Sequence, residues 1–290
     1  MDVVEVFYWI DEFCGRFDGW LKSTQLKSGE KKRNRASRMN ASEVIAIIVL
    51  FHWSGYRNFK TFYKEYVCQF WQSEFPNLLS YNRFVELMQE QALTLFALAQ
   101  ACNSTSNGIN FIDSTTLVVC NNRRIHNHKV FAGLAKRGKS SMGYFFGFKL
   151  HIIINDQGEI VNFVVTDGSV ADNNEKLLKN ITQSIFGKLF GDKGYITKIR
   201  TWLYTQNIQL ITKIRSNMKN ILMPLFDKLL LRKRAVVESV NDQLKNIFQI
   251  EHTRHRSPKN FLSNLFAGLV AYKLASKKPS LHLNLKLALS

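Results

Sequence analysis

The chain has 290 residues, of which 46% are hydrophobic, which is enough for one large folded domain or two smaller ones and too many for a disordered tail. Lys and Arg number 40 against 22 Asp and Glu, so the formal net charge is +18 and a polyanionic partner is expected, nucleic acid before a membrane surface. No stretch reaches the roughly 18 consecutive apolar residues of a membrane-spanning helix, and residues 1–20 lack the basic start of an export signal, so a cytoplasmic protein is expected.

The first hundred residues are predicted to be helical. Residues 1–20 indicate a short helix, and the basic stretch from Lys27 to Arg38, with six cations and one acid, is either a solvated linker or an arm that contacts phosphates. Three further helices are predicted between residues 40 and 100, separated by Ser-Gly and Pro-Asn breaks. With their basic and aromatic surface positions, these helices form either a helix-turn-helix-like DNA-binding unit or a plain helical bundle.

The segment from Asn110 to Cys120 is predicted to be a buried strand, because its β-forming residues lie between Asn-Gly and Asn-Asn breaks. Asp113 lies in its middle, where an unpaired carboxylate would cost several kcal/mol. A cation, a hydrogen-bond cluster or a metal ion must therefore compensate Asp113. The polar stretch of residues 102–107 before this strand marks a domain boundary.

No acidic residue occurs between Asp113 and Asp156, whereas cations are frequent there. Such a run is expected to lie along a phosphate backbone. Its basic residues are Arg123, Arg124, His126, His128, Lys129, Lys136, Arg137, Lys139, Lys149 and His151.

The segment Gly133 to Ser140 matches the phosphate-loop pattern G-x-x-x-x-G-K-S. A phosphate loop must lead into a helix whose N-terminus faces the phosphates. Here Ser140 leads instead into an alternating aromatic and β-branched segment, Gly143 to Ile154, which predicts a strand. The match is therefore interpreted as fortuitous.

The rest of the chain alternates between strands and helices. The predicted order is a hairpin turn at 155–158, a strand over 159–166, a helix from about 171, a strand over 189–192, a helix over 196–206, a strand over 208–214, a long helix from Pro224 to Ile250, and a helix over 258–275. Residues 281–290 alternate with period two and form either an edge strand or a loose tail.

The helix predicted after Pro224 carries an acidic residue on a polar stripe. At about 100° per residue, Arg234, Asp242 and Lys245 lie on the same side of this helix as Glu238, and most apolar residues lie opposite. An ordinary amphipathic helix with solvated ion pairs would show the same pattern.

Three antiparallel strands followed by alternating helices and strands predict a mixed α/β sheet with helices on its faces. In such a sheet Asp113, Asp192 and Glu238 can converge on one spot. Their mutual repulsion, roughly 4 kcal/mol per pair at about 4 Å, makes convergence favourable only around divalent cations. Oxygen-only ligands favour Mg²⁺, with Mn²⁺ as the alternative, over Zn²⁺.

These three carboxylates lie 79 and 46 residues apart, in the motifs Phe-Ile-Asp-Ser-Thr, Gly-Asp-Lys-Gly-Tyr and Arg-Ala-Val-Val-Glu. In this arrangement they resemble the DDE triad of bacterial insertion-sequence transposases. From about residue 42 to residue 281 the sequence is most similar to insertion sequence family 982, through motifs such as Asn-Arg-Arg-Ile-His, Phe-Gly-Phe-Lys-Leu-His and His-Arg-Ser-Pro. Related transposases share the helix signature Tyr-x-x-Arg-x-x-x-Glu-x-x-x-x-x-x-Lys. Arg234, Glu238 and Lys245 match its last three named positions, but Leu231 occupies the position of the Tyr.

The resemblance implies a fold and a domain order. An RNase H-like mixed sheet flanked by helices is expected after an all-helical N-terminal region. The domains would be an N-terminal helix and basic linker (1–39), a helical DNA-binding region (40–105), an RNase H-like DDE catalytic domain (106–278) and a C-terminal tail (279–290).

The resemblance also implies a reaction, namely metal-dependent cleavage at insertion-sequence ends and strand transfer to target DNA. Asp113, Asp192 and Glu238 would be catalytic and would hold two ions of Mg²⁺ or Mn²⁺. A nucleoid-associated homodimer would bind double-stranded DNA, both terminal repeats and target, in a synaptic complex. The expected DNA contacts are Arg123, Arg124, Lys136, Arg137, Lys139, Lys149, Lys193, Arg234 and Lys245.

Two other functions agree with the same residues. A catalytically silent DNA-binding protein on a transposase scaffold would explain the charge surplus. A structure-selective nuclease would use the same ions without strand transfer.

Overall fold

The structure, a computed structural model, describes residues 2–28, 37–140, 143–213, 222–251 and 255–281. Most of the predicted basic arm and of the alternating C-terminal segment, residues 29–36 and 282–290, lies outside these ranges. The chain forms two compact units. The helical unit comprises Met1–Cys102 and Leu244–Leu274, and the sheet unit comprises Asn103–Gln243 and Ala275–Ser290.

The regular elements follow one another in the predicted order. Within the described residues the α-helices are α1 (Val3–Ser28), α2 (Ala41–Phe51), α3 (Phe59–Thr61), α4 (Cys68–Phe70), α5 (Tyr81–Glu90), α6 (Ala92–Ala101), α7 (Glu175–Ile181), α8 (Arg200–Thr205), α9 (Leu225–Lys233), α10 (Ala235–Asn246) and α11 (Pro258–Leu274). The strands are β1 (Ile109–Cys120), β2 (Lys136–Ser140), β3 (Gly143–Asn155), β4 (Ile160–Asp167), β5 (Gly187–Gly191) and β6 (Ile208–Thr212). None of the helices described is long and apolar enough to cross a bilayer.

The helical unit is built around two apolar helices. In α2 every residue from Ser42 to Phe51 is buried, and α11 is buried along most of its length. α11 contacts α2, α5 and α6, and α1 contacts α2. An apolar surface on all sides of a helix requires neighbours on all sides, which explains why α11 lies in this unit.

Two of the helices predicted between residues 40 and 100 are interrupted. The second predicted helix consists of α3, a π-helix (Phe62–Val67) and α4. The third divides into α5 and α6, with a turn at Gln91. A π-helical stretch places one extra residue in the helical turn and is rare outside functional sites.

The sheet unit contains a six-stranded mixed sheet with the order β2-β3-β1-β5-β6, in which β4 also pairs with β3. β1, β2 and β4 are each antiparallel to β3, and β5 and β6 continue the sheet in parallel from β1. This is the order and direction of strands in the RNase H-like fold. The predicted mixed α/β class and the helical region before it are therefore confirmed.

One face of this sheet packs against α7 and α8. Ile112, Leu189 and Leu210 from the strands form a buried cluster with Leu178 and Leu203 from the helices. α9 contacts β5 and β6. Because side chains alternate along a strand, residue 113 points away from the face to which Ile112 contributes.

The segment that matches the phosphate-loop pattern is part of the sheet. Lys136–Ser140 forms β2, in which Lys136 pairs with Gly147 and Ser140 with Gly143 of β3. Gly143 begins β3 itself, so the structure agrees with the interpretation of the match as fortuitous.

The border between the two units differs from the predicted domain border in one respect. The first division, after Cys102, lies close to the predicted boundary at residue 105. Residues 244–274, however, belong to the helical unit, whereas the sequence assigned them to a catalytic domain of residues 106–278. Chain order alone gives no sign that α11 returns to the N-terminal helices.

Gly147 is expected to be essential for the pairing of β1 and β3. A Cβ atom at this position would lie 2.0 Å from the backbone oxygen of Leu117. Gly147→Ala should therefore lower the free energy of unfolding by about 2 kcal/mol or more, since backbone must move. Gly15→Ala is the control. Gly15 lies inside α1, and a Cβ atom at this position would have no other atom within 4 Å. This substitution should raise stability by up to about 1 kcal/mol. Urea denaturation measures both, and an unchanged Gly147→Ala protein would contradict the register.

Candidate active site

Asp113 is compensated by a cation and a hydrogen bond. Its side chain is 21% exposed, and its Oδ1 atom lies 3.6 Å from Nη1 of Arg234. Asn241 of α10 donates a hydrogen bond of 2.9 Å from Nδ2 to Oδ2 of Asp113. Of the three means of compensation left open by the sequence, the structure therefore shows two.

Arg234 joins two of the predicted triad residues. It is the single residue between α9 and α10, and its side chain is 13% exposed. Its Nη2 atom donates a hydrogen bond of 2.6 Å to Oε1 of Glu238, one helical turn further along. The predicted long helix is thus broken at the residue that binds both Asp113 and Glu238.

Asp192 is placed next to Asp113 by the parallel pairing of β5 with β1. Ile109 pairs with Lys188 and Phe111 with Phe190. The same offset of 79 residues relates Asp113 to Asp192, which directly follows β5. Since paired strands lie about 4.8 Å apart, the backbones of the two residues are neighbours at the end of the pairing. Asp192 is exposed.

The pKa of Asp113 is raised, because the nearby positive charge does not offset the effect of burial. Burial raises the pKa of the Asp113 carboxyl from 3.8 to about 6, and the charge of Glu238 acts in the same direction. Arg234, the backbone of Ser114 and Asn241 oppose this rise in pKa without cancelling it. The carboxylate is therefore expected to bind a proton or a further cation readily.

The side chains around Asp113 offer only oxygen atoms to a metal ion. The candidate ligands are the carboxylates of Asp113, Asp192 and Glu238. Oδ1 of Asn241 is a further oxygen next to Asp113, and it is buried and has no hydrogen-bond partner in the described structure. Such a donor set fits a hard divalent cation. Among the described residues, however, no three His, Cys, Asp or Glu side chains are already arranged to hold a metal ion.

A second polar cluster lies on the opposite face of β1. Oδ1 of Asp172 accepts hydrogen bonds from Ser114 Oγ at 2.9 Å and from Lys149 Nζ at 3.1 Å. Lys149 also donates to the backbone oxygen of Val170 at 3.0 Å and is only 7% exposed. Lys149 was predicted to contact phosphate, but its ammonium group is paired inside the sheet unit, which argues against that role.

His151 and Tyr195 complete this cluster as neutral groups. Burial lowers the pKa of His151 to about 4 despite the nearby Asp172 carboxylate, so its imidazole is uncharged at neutral pH. Burial, and then the charges of Asp113 and Asp172, raise the pKa of Tyr195 well above its usual value. A protonated phenol therefore lies near both carboxylates.

The other predicted DNA-contacting residues differ in their surroundings. Lys136 is exposed and pairs with Asp167 at 3.2 Å, and Lys245 pairs with Glu251 at 2.8 Å. Exposed cations also include Arg123, Arg124, Arg137, Lys139 and Lys193. Their role in DNA binding stays a prediction.

Four residues of the site were not singled out from the sequence, namely Ser114, Asp172, Tyr195 and Asn241. Asn241 follows Glu238 by three residues, a spacing that places the two side chains on neighbouring positions of a helix. That spacing could have identified it. Asp172 lies in the turn region after β4, and nothing in its local sequence indicates a bond to Ser114.

The fold and the site define a class of protein. The RNase H-like sheet carries acidic residues on β1 and directly after β5, and α10 carries a third. The profile of the family described as "Transposase DDE domain" matches residues 103–258, which is more than half of the 290-residue chain. The chain belongs to this transposase DDE domain family.

Comparison with solved structures gives further likenesses, and one of them is described here. "Crystal structure of the Mos1 Strand Transfer Complex" is matched over 92% of this chain and 88% of that chain, at 11% sequence identity and a TM-score of 0.24. The RNase H-like fold is recognised from the order of the strands in the sheet and not from this likeness. No curated protein sequence matches the chain.

The raised pKa of Asp113 should make the stability of the metal-free protein depend on pH. Between about pH 4 and pH 6 the unfolded chain releases the Asp113 proton while the folded chain keeps it, so folding stability falls as pH rises through this window. Asp113→Asn removes this penalty. Its advantage in free energy of unfolding over the wild type should grow from pH 4 to pH 6, reach about 3 kcal/mol and then stay constant.

Urea denaturation in EDTA across this pH range measures the difference in free energy of unfolding between wild type and Asp113→Asn. In the variant Arg234→Met, the Asp113 pKa should rise further, because the nearby cation that opposes the rise is lost. If the free energies of unfolding of wild type and Asp113→Asn differed by the same amount at all pH values, the raised pKa of Asp113 would be contradicted.

Proposed function

We propose that this protein is a DNA transposase that cleaves DNA at the ends of an insertion sequence and transfers the cut strands to target DNA. The observation that carries the proposal is the binding of Asp113 and Glu238 by one arginine, Arg234. Asp192 lies one strand away, and the chain is a member of a transposase DDE domain family. These contacts support the proposal that three acidic residues from distant parts of the chain act in one site.

We infer that Asp113, Asp192 and Glu238 hold two divalent ions, Mg²⁺ or Mn²⁺. When bound, such ions lower the pKa of an attacking water or 3′ hydroxyl and stabilise the leaving oxygen. Asn241 holds the Asp113 carboxylate in one orientation through its amide. Arg234 limits the repulsion between Asp113 and Glu238, since it contacts both.

The surroundings of the site support a role with a phosphodiester substrate. Lys193 directly follows Asp192 and is exposed, so its ammonium group can neutralise a phosphate that reaches Asp192. Tyr195 is protonated at neutral pH, as an ordinary tyrosine is, and burial raises its pKa further. Its phenol thus adds no negative charge to a region that must accept a phosphate.

We propose that double-stranded DNA follows the exposed cations of the sheet unit. Arg137 and Lys139 line a cavity of about 530 Å³ together with Asn122 and Tyr144. The ammonium group of Lys139 lies 5.8 Å from the centre of the Tyr144 ring. A basic groove with an exposed aromatic ring suits a sugar-phosphate backbone. The transfer of both element ends to one target would be carried out by a homodimer.

The triad should be required for cleavage. Asp113→Asn, Asp192→Asn and Glu238→Gln should each lower cleavage of labelled terminal-repeat DNA in Mg²⁺ by roughly 10³-fold or more, because residues that act as one unit cannot replace one another. EDTA should abolish cleavage by the wild type. Glu12→Gln is the control, since Glu12 is exposed on α1 and pairs with Arg16. It should cleave like the wild type.

The products separate the proposed function from its alternatives. Cleavage followed by joining to target DNA agrees with a transposase. Cleavage without joining would indicate a nuclease, and binding without cleavage would indicate a DNA-binding protein on a transposase scaffold. Full activity of all three triad variants would contradict the assignment of the site.

A further inference from the structure

The helical unit contains a cavity of about 760 Å³ that the proposed reaction does not use. It is lined by α3 and the two residues before it, by α5, and by residues between 255 and 264, which precede and begin α11. A volume in this range is typical of sites for ligands of nucleotide size.

The rim of this cavity is positively charged. Arg57, Lys60 and Arg256 line it and are exposed. Among the described residues that line the cavity there is no Asp or Glu. An anion is therefore the ligand that this rim favours, and arginine pairs well with phosphate oxygens.

The floor of the cavity carries two amides with unsatisfied polar atoms. Asn260 is 9% exposed and Asn264 is 2% exposed. Oδ1 of Asn260 and Nδ2 of Asn264 are buried and have no hydrogen-bond partner in the part of the chain that the structure describes. A buried polar atom without a partner is unfavourable, so a ligand that supplies the missing hydrogen bond is favoured. Because Asn260 and Asn264 are four residues apart on α11, their side chains are neighbours on the helix surface. Neighbouring acceptor and donor groups suit the edge of a nucleobase.

An aromatic ring also lines the cavity. Tyr81 lines the cavity, and Lys60 Nζ is 6.0 Å from the centre of its ring. The ring is supported by Phe59 at 6.4 Å and by Tyr63 at 6.2 Å between ring centres. Tyr63 is itself fixed in the π-helix by a hydrogen bond of 2.7 Å to the backbone of Leu79. Tyr81 is thus a rigid surface on which a flat group can stack.

We propose that this cavity binds one unpaired nucleotide of a DNA strand. The phosphate lies at Arg57, Lys60 and Arg256, the base stacks on Tyr81, and the base edge bonds to Asn260 and Asn264. Duplex DNA hides the faces and the Watson–Crick edges of its bases, so only a frayed, flipped or overhanging nucleotide can satisfy all three parts of the cavity. The proposal rests on the proposed function in that DNA is the ligand, but it does not depend on cleavage.

Binding of two DNA duplexes tests this site. The duplexes have the same sequence, and one ends in a single unpaired nucleotide while the other is blunt. Fluorescence anisotropy in EDTA should show that the wild type binds the overhang duplex roughly tenfold more tightly, because the unpaired base stacks on an aromatic ring. Tyr81→Ala and Arg256→Ala should each lose most of this preference.

Arg83→Ala is the matched control, because Arg83 lies on the same helix as Tyr81, pairs with Glu86 at 2.6 Å and does not line the cavity. It should keep the preference. In a second measurement, an overhang that carries 5-iodouracil should crosslink under light to the peptide containing Tyr81, which mass spectrometry identifies.

Equal binding of blunt and overhang duplexes by the wild type would overturn the proposal. So would crosslinking only to peptides outside the cavity, or tighter binding of a short acidic peptide than of the overhang duplex. If the earlier assay shows no cleavage but the overhang preference and the Tyr81 crosslink persist, the enzymatic proposal fails and this one stands.

Discussion

The contact of Arg234 with Asp113 and Glu238 is the interaction on which the candidate active site depends. Asp113 lies on the central strand of the sheet, where burial raises its pKa to about 6. A second carboxylate nearby would be repelled unless a cation stood between them. Arg234 provides that cation from the break between α9 and α10, so the same residue ends one helix and sets the position of the next. The ion pairs of Arg234 with Asp113 and Glu238 thus help to hold Glu238 near β1, in addition to side-chain packing.

The sheet then determines what else can join the site. Parallel pairing of β5 with β1 brings Asp192 next to Asp113, and the alternation of side chains sends Ser114 to the other face. On that face Asp172 binds Ser114 and Lys149. The two faces of one strand thus carry two carboxylate clusters with different partners. One is bound by an arginine at a helix break and the other by a buried lysine.

Much of this could be predicted from the sequence, because it depends on local pattern. β1 and its buried carboxylate follow from β-forming residues between turn signals, and the mixed sheet follows from the order of strands and helices. The break at Arg234, the bond between Asp172 and Lys149 and the return of α11 to the N-terminal helices could not be predicted in this way. Each depends on a partner far away in the chain, and the local sequence of a lysine is the same whether it meets a phosphate or an internal aspartate.

Binding of Mn²⁺, followed by electron paramagnetic resonance in the presence of terminal-repeat DNA, tests most directly whether the three carboxylates form one metal site. The account predicts that the wild type binds about two ions and that Asp113→Asn, Asp192→Asn and Glu238→Gln each bind fewer ions or bind them at least about tenfold more weakly. Mn²⁺ binding by all three variants with the affinity and ion number of the wild type would contradict it.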